Sequence, residues 1–196
     1  WRVNGNSKTA ISGKWINSPG RTLLNKLKID LGTNFLPIIA EDLGVITPDV
    51  EKLRKNFELP GMKILQFAFD GNEDNPYLPK NIEGENWVVY TGTHDNSTSV
   101  SWWESLENNN KKLIKDKYKF SENPSWSLIK LGMETKANLF IAPIQDILSL
   151  DDSSRLNIPG TTKNNWKWKL NRPLGEIEDN ISRFSDLGNS FGRTRK

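Results

Sequence analysis

Residues 35–53 read FLPIIAEDLGVITPDVEKL. An apolar run, Phe35 to Ala40, stops at two carboxylates, Glu41 and Asp42. A glycine follows, and Thr47-Pro48-Asp49 then opens a helix. Threonine is a favoured N-cap and proline suits the first helical position. Asp49 and Glu51 fall in the first turn, where the helix dipole favours anions. The stretch therefore reads as strand, acidic strand end, turn and helix. A chain built from such units has a parallel sheet covered by helices.

The same order recurs outward from this stretch. Before it, Pro19-Gly20 precedes an apolar-periodic helix with Leu23, Leu24, Leu27 and Leu31, closed by Gly32. After it, Met62 to Phe69 reads as a second strand, Trp87 to Tyr90 as a third and Asn138 to Ile144 as a fourth. Helices are expected from Thr98 to Lys119, with a break at Asn108-Asn109-Asn110, from Trp126 to Thr135, and from Pro173 to Leu187. The strands are short and continuously apolar, as parallel strands covered on both faces are. The choice lies between an open doubly wound sheet and a (β/α) barrel. No Gly-rich phosphate loop follows any strand, which weakens the nucleotide-binding sheet. The segment from Asp70 to Asn86 is long for a connector and reads as a functional loop.

Composition narrows the function classes. The 27 basic and 24 acidic residues are interleaved and leave a net charge of +3, which describes a mixed solvated surface and not a nucleic-acid face. No run of about 18 apolar residues is present, so no membrane span is expected. The absence of cysteine excludes disulfides and thiol catalysis. Eight tryptophans are many for 196 residues. They read as core packing or as platforms for flat ligands such as sugar rings. For Trp166 and Trp168 the expectation is hydrophobic anchoring of the C-terminal segment, and for Trp102-Trp103 it is core packing. The lysines between Lys111 and Lys119 read as a solvated helix face, and residues 188–196 as a disordered tail. The chain opens Trp1-Arg2-Val3 without an initiator methionine and is expected to be a piece of something longer.

Each expected strand ends in acid or amide groups: Glu41-Asp42, then Asp70, then Thr93-His94-Asp95-Asn96, then Gln145-Asp146. In a (β/α) barrel that end of the sheet is the active face, where side chains from different strands converge. Each acid also reads as a helix cap. Converging carboxylates without cysteine suit retaining glycoside chemistry, in which one carboxylate attacks the anomeric carbon and a second serves as acid and then base. The rival is a metal site of Glu41, His94 and Asp95. A single histidine makes it poor for zinc and leaves magnesium or calcium.

The motifs IIAEDLGVITPDV (38–50), LPGMKILQFAFD (59–70), NPYLP (75–79), VVYTGTHDN (88–96), APIQDIL (142–148) and LNIPGTTKNNWKWKL (156–170) resemble those of glycoside hydrolase family 77, the 4-α-glucanotransferases or amylomaltases. The resemblance runs from Trp1 to about Leu170. It implies an α/β fold, the C-terminal part of a (β/α)8 barrel of the α-amylase type, with this chain supplying about the fifth to eighth strands. It implies Glu41 as general acid/base and Asp95 as the carboxylate that stabilises the transition state. It also implies His94, Asn96, Asp70 and Asn157 as residues that contact the sugar. Partial enclosure would keep Glu41 protonated for the first step.

The expected substrates are α-1,4-glucans and malto-oligosaccharides, with no metal or organic cofactor, and the expected location is the cytoplasm, with a plastid as the alternative. The family nucleophile is an Asp in an Arg-x-Asp-His motif, which this sequence lacks and which family spacing places before Trp1. The expected partner is therefore the remaining N-terminal half of the same barrel. The alternative reading is a truncated glucan-binding module or an inactive relic. Lys80, Lys169 and Ser101 also depart from the family's usual His, Arg and Gly and affect subsite detail.

Overall fold

The computed structural model describes residues 1–193 and divides into two compact units, Trp1–Ile38 with Gly44–Leu59, and Ile39–Leu43 with the chain from Pro60 onward. The first unit holds α1 (Gly20–Leu31) and α2 (Pro48–Asn56). Gly32 closes α1 at φ +59°, and its N–H bonds the Ile29 carbonyl, a left-handed cap that suits glycine. None of the α1 residues is buried; Leu23, Ile29 and Leu31 are all more than half exposed. Pro48 stands at the start of α2, as its sequence requires.

The second unit is built on three parallel strands, β1 (Gly61–Ile64), β2 (Trp87–Tyr90) and β3 (Leu139–Ile141), in that spatial order. Gly61 lies opposite Trp87, and Val88 opposite Leu139. Between and after them run α3 (Ser99–Ser105), α4 (Asn108–Tyr118), α5 (Pro124–Glu134), α6 (Ile144–Ile147) and α7 (Glu178–Ser190). One core cluster joins Leu65, Val89, Ile114 and Leu128, with Trp102 and Trp103 packed against it. A second joins Trp126, Ile129, Met133 and Ile147 under α7. Helix α5 serves both clusters. Leu128 and Ile129 are fully buried, worth about 1.5–3 kcal/mol each by area. The backbone start of α5 is fixed by Asn123, whose side chain accepts from the Trp126 N–H, with Pro124 next.

Several expectations are corrected. Phe35–Ala40 is not a strand. Pro37 has no N–H to give a ladder, and Phe35 is 72% exposed. Instead the short segment 39–43 lies against β1, where the Ala40 N–H donates to the Pro60 carbonyl at 2.8 Å. The strand expected over Met62–Phe69 stops at Ile64, and Leu65–Phe67 forms a 3-10 turn. Its apolar character comes from burial, since Leu65 and Ala68 are buried with no further strand. The fourth strand shortens to Leu139–Ile141, and Ile144–Ile147 is helical. The helix expected over Thr98–Lys119 divides at Leu106-Glu107, and the three asparagines start α4. The disordered tail expected from residue 188 does not hold over 188–193. Gly188 to Ser190 belong to α7, and the Arg193 guanidinium donates to the carbonyls of Met133, Thr135 and Ala137 at the C-terminal end of α5. Residues 194–196 lie outside the described residues. Among the described residues no helix is long and apolar enough to cross a membrane.

Candidate active site

The C-terminal ends of the strands open on a cavity of about 500 Å3. Its wall is drawn from segment 39–43, from the loop after β2, from the turn after β3 and from residues 155–156. Glu41, His94, Asp95 and Asn96 all line it. The two acids at the end of the first expected strand divide their tasks. Glu41 faces the cavity, while Asp42 turns back and its Oδ1 accepts the Met62 N–H at 2.7 Å, a carboxylate standing in for a ladder carbonyl. A Cβ on Gly61 would overlap the Asp42 carboxylate and the Trp87 ring, so glycine is what lets Asp42 reach β1.

The loop from Thr91 to Thr98 carries the central residues and is braced from several sides. Within it, Asn96 Oδ1 accepts from both the Thr93 N–H (2.9 Å) and the Thr93 hydroxyl (2.8 Å). Gln66 Nε2 donates to the Ser97 carbonyl at 2.9 Å. A Cβ on Gly92 would stand 2.8 Å from that same Nε2. At both ends of the loop lies Asp146, 2% exposed. Its Oδ2 accepts from the Thr91 hydroxyl (2.5 Å) and the Ser99 hydroxyl (2.7 Å), and its Oδ1 from the Ser99 N–H (2.8 Å). Burial raises the Asp146 pKa, and these hydrogen bonds oppose the rise without cancelling it. Asp146, on α6, thus braces the first turn of α3, whose N-cap is Thr98.

His94 and Asp95 are about half exposed, and His94 Nε2 lies 3.3 Å from Asp95 Oδ1. Asp95 Oδ1 also accepts from Asn157 Nδ2 at 2.6 Å, so Asn157 reaches the site through Asp95. The rings of His94 and Trp166 lie 4.9 Å apart at 46°. Trp166 is 61% exposed and sits in a turn at φ +60°. The anchoring expected of it is corrected: the ring is exposed and packs beside His94. Asp70 and Asn157 are the expected site residues that the cavity wall does not include, and among the described residues Asp70 has no bond to one that lines it. Asp70 is exposed, and the Asn72 N–H, with help from the Asn75 side chain, holds its carboxyl below the usual range. Tyr90 faces the cavity, and burial pushes its phenol up, so it stays a neutral donor and acceptor.

Arg155 was not legible as a site residue in the sequence, and Asp146, read there among the acidic strand ends, serves instead as a buried brace of the loop. Arg155 precedes a motif and carries no signal of its own; its partners Asp95 and Ser97 lie about 60 positions away. Among the described residues no group of three or more His, Asp or Glu side chains is placed to hold a metal ion. The proposed Glu41–His94–Asp95 metal set is therefore not assembled.

Comparison with known proteins shows the family. The profile described as 4-alpha-glucanotransferase, glycoside hydrolase family 77, matches residues 1–174. The chain is 49% identical over 173 residues to a 4-alpha-glucanotransferase of Synechocystis sp., covering 86% of this chain and 34% of the relative. It is 42% identical over 197 residues to the chloroplastic/amyloplastic enzyme of Arabidopsis thaliana, covering 98% of this chain and 34% of the relative. In structure it is similar to the amylomaltase of Streptococcus agalactiae solved with acarbose, at a TM-score of 0.89 and 30% identity, covering 98% of this chain and 39% of that one. The chain thus spans about a third of the length of the curated relatives it matches. Its parallel strands and helices are part of an α/β barrel. With the family profile matched over nearly nine tenths of its length, the chain belongs to glycoside hydrolase family 77, the 4-alpha-glucanotransferases.

Proposed function

We propose that the protein to which this chain belongs transfers a segment of an α-1,4-glucan to the 4-hydroxyl of another glucan or of glucose by a retaining double displacement. The observation that carries the reading is the convergence of Glu41, His94 and Asp95 on one cavity at the strand ends, with Asn157 bonded to Asp95. Glu41 donates its proton to the glycosidic oxygen as the bond to the anomeric carbon breaks. A carboxylate from outside this chain forms the glycosyl ester. Glu41 then takes the proton from the acceptor 4-hydroxyl as that oxygen attacks the anomeric carbon and releases the carboxylate. Asp95 holds sugar hydroxyls and stabilises the positive charge that develops at the anomeric centre. His94, Asn96 and Asn157 complete the donor subsite, and Asp70 contacts sugar further along the cleft.

The imidazole of His94 and the amide of Asn157 on Asp95 support a carboxylate fixed in place before substrate arrives, which is how such groups stabilise a transition state best. Transfer prevails over hydrolysis where an acceptor sugar fills the cleft and excludes water. No metal or organic group is required for these steps. The rest of the barrel is the partner that supplies the third carboxylate. The cytoplasm is the proposed location, with a plastid as the alternative because the Arabidopsis relative is chloroplastic/amyloplastic.

The test is disproportionation of maltotriose by the full-length protein. Glucose and longer malto-oligosaccharides are expected, and Glu41→Gln should lower their rate by at least about 1000-fold, since both proton transfers are lost. Tight glucan binding with no transfer by the unsubstituted protein would contradict the reading in favour of a binding module.

A further inference from the structure

The guanidinium of Arg155 joins the two loops that carry Asp95 and Asn157. Its Nη2 donates to the Asp95 carbonyl at 2.6 Å and its Nε to the Asn157 carbonyl at 2.9 Å. Its Nη1 reaches the Ser97 hydroxyl at 3.2 Å and the Asp152 carboxylate at 3.4 Å. The side chain is only 18% exposed, while Asp95 beside it is half exposed. The two shortest of these bonds go to main-chain carbonyls, so the group it fixes is the backbone from which the Asp95 and Asn157 side chains project. Those side chains meet in the 2.6 Å bond from Asn157 to Asp95. The loops are otherwise separate in sequence by about 60 residues, and no other side chain in the cavity wall donates to both.

From this geometry we infer that Arg155 is a positioning residue for the transfer reaction: it sets the backbone of Asp95 against that of Asn157, so that the Asp95 carboxylate points into the cavity at the height of the anomeric carbon. The inference rests on the glucan-transfer reading above. Arginine is required because a planar fork with donors at fixed angles can serve two carbonyls in different directions, whereas the lysine ammonium is a compact charge that cannot span them. A displacement of about 1 Å at Asp95 is enough to cost on the order of 100-fold in rate.

The experiment measures kcat and KM for maltotriose in the full-length protein, in Arg155→Ala and in Arg155→Lys, each checked for its thermal unfolding transition. Both variants should lose about 100-fold in kcat with KM changed by less than about threefold, because the sugar-contacting groups remain. Added methylguanidinium at tens of millimolar should restore at least about tenfold to Arg155→Ala and nothing to Arg155→Lys, whose ammonium fills the space. Loss through unfolding would not respond to the additive. Activity within threefold of the parent in either folded variant would overturn the inference, as would a folded Arg155→Ala whose loss methylguanidinium leaves unchanged. If Arg155→Ala does not fold, Arg155→Lys alone decides, and full activity there refutes the fork. An unsubstituted protein without transfer activity would instead defeat the reading on which the inference stands.

Discussion

Two adjacent acids, Glu41 and Asp42, have opposite fates. Glu41 lines the cavity, and Asp42 is spent on the Met62 N–H. Asp146 shows a third outcome, a carboxyl withdrawn from solvent to hold Thr91 and Ser99. Residue type at a strand end therefore nominates candidates, and direction of the side chain selects among them. The Asp146 pair of hydroxyl donors makes a pH prediction. Burial raises its folded pKa above the ordinary 3.8. The folded chain thus holds this proton more tightly than the unfolded chain. The stabilisation from that carboxyl is complete below about pH 3.8 and is lost as pH rises through the folded value. Asp146→Asn removes the titration. The stability advantage of the parent over Asp146→Asn, measured by urea unfolding, should therefore be greater at pH 4 than at pH 8. An advantage that grows with pH would show that the hydrogen bonds outweigh burial.

At the scale of elements, glycine decides whether α5 can approach β3. A Cβ on Gly132 would overlap the ring of Phe140, which packs between the two core clusters. Alanine in a helix is worth about 1 kcal/mol over glycine, while overpacking a filled core costs about 1–3 kcal/mol. Gly132→Ala is therefore expected to be destabilising by about 1–2 kcal/mol in urea unfolding, and a gain in stability would refute the close packing. The elements also show what was legible. Trp87–Tyr90 is a strand with the bounds its apolar run suggested, because a central strand buries both faces. The run at Phe35–Ala40 looks alike in sequence, yet Pro37 denies it a ladder. The loop Thr93–Asn96 stood out by its polar cluster after a strand, and it lines the cavity. Arg155 was not legible, and Asp146 was singled out as a strand-end acid without its bracing role, since both roles arise only when segments some 50 to 60 residues apart meet. Trp166 was misjudged because an i, i+2 pairing presumes extended backbone, and this residue lies in a turn.

The whole second unit is a sheet with its strand ends loaded. Its chemistry depends on parallel strands delivering their C-terminal ends to one side, which a (β/α) barrel does for every strand. In this chain segment 39–43 lies along β1, and Leu139 and Ile141 of β3 remain 49% and 41% exposed at the other edge. A closed barrel would continue from there. Two of the three carboxylates that double displacement needs are the proposed pair Glu41 and Asp95, and the account stands or falls on their different roles. The most direct test compares two donors in full-length Glu41→Ala. Maltotriose needs a proton on its leaving oxygen, whereas fluoride leaves from an α-maltosyl fluoride without one. The variant should lose transfer from maltotriose yet form a glycosyl-enzyme from the fluoride, visible as a mass increase of one maltosyl unit on the intact protein. Equal loss with both donors, or retained transfer from maltotriose, would contradict the assignment of Glu41 as the acid and with it the proposed site.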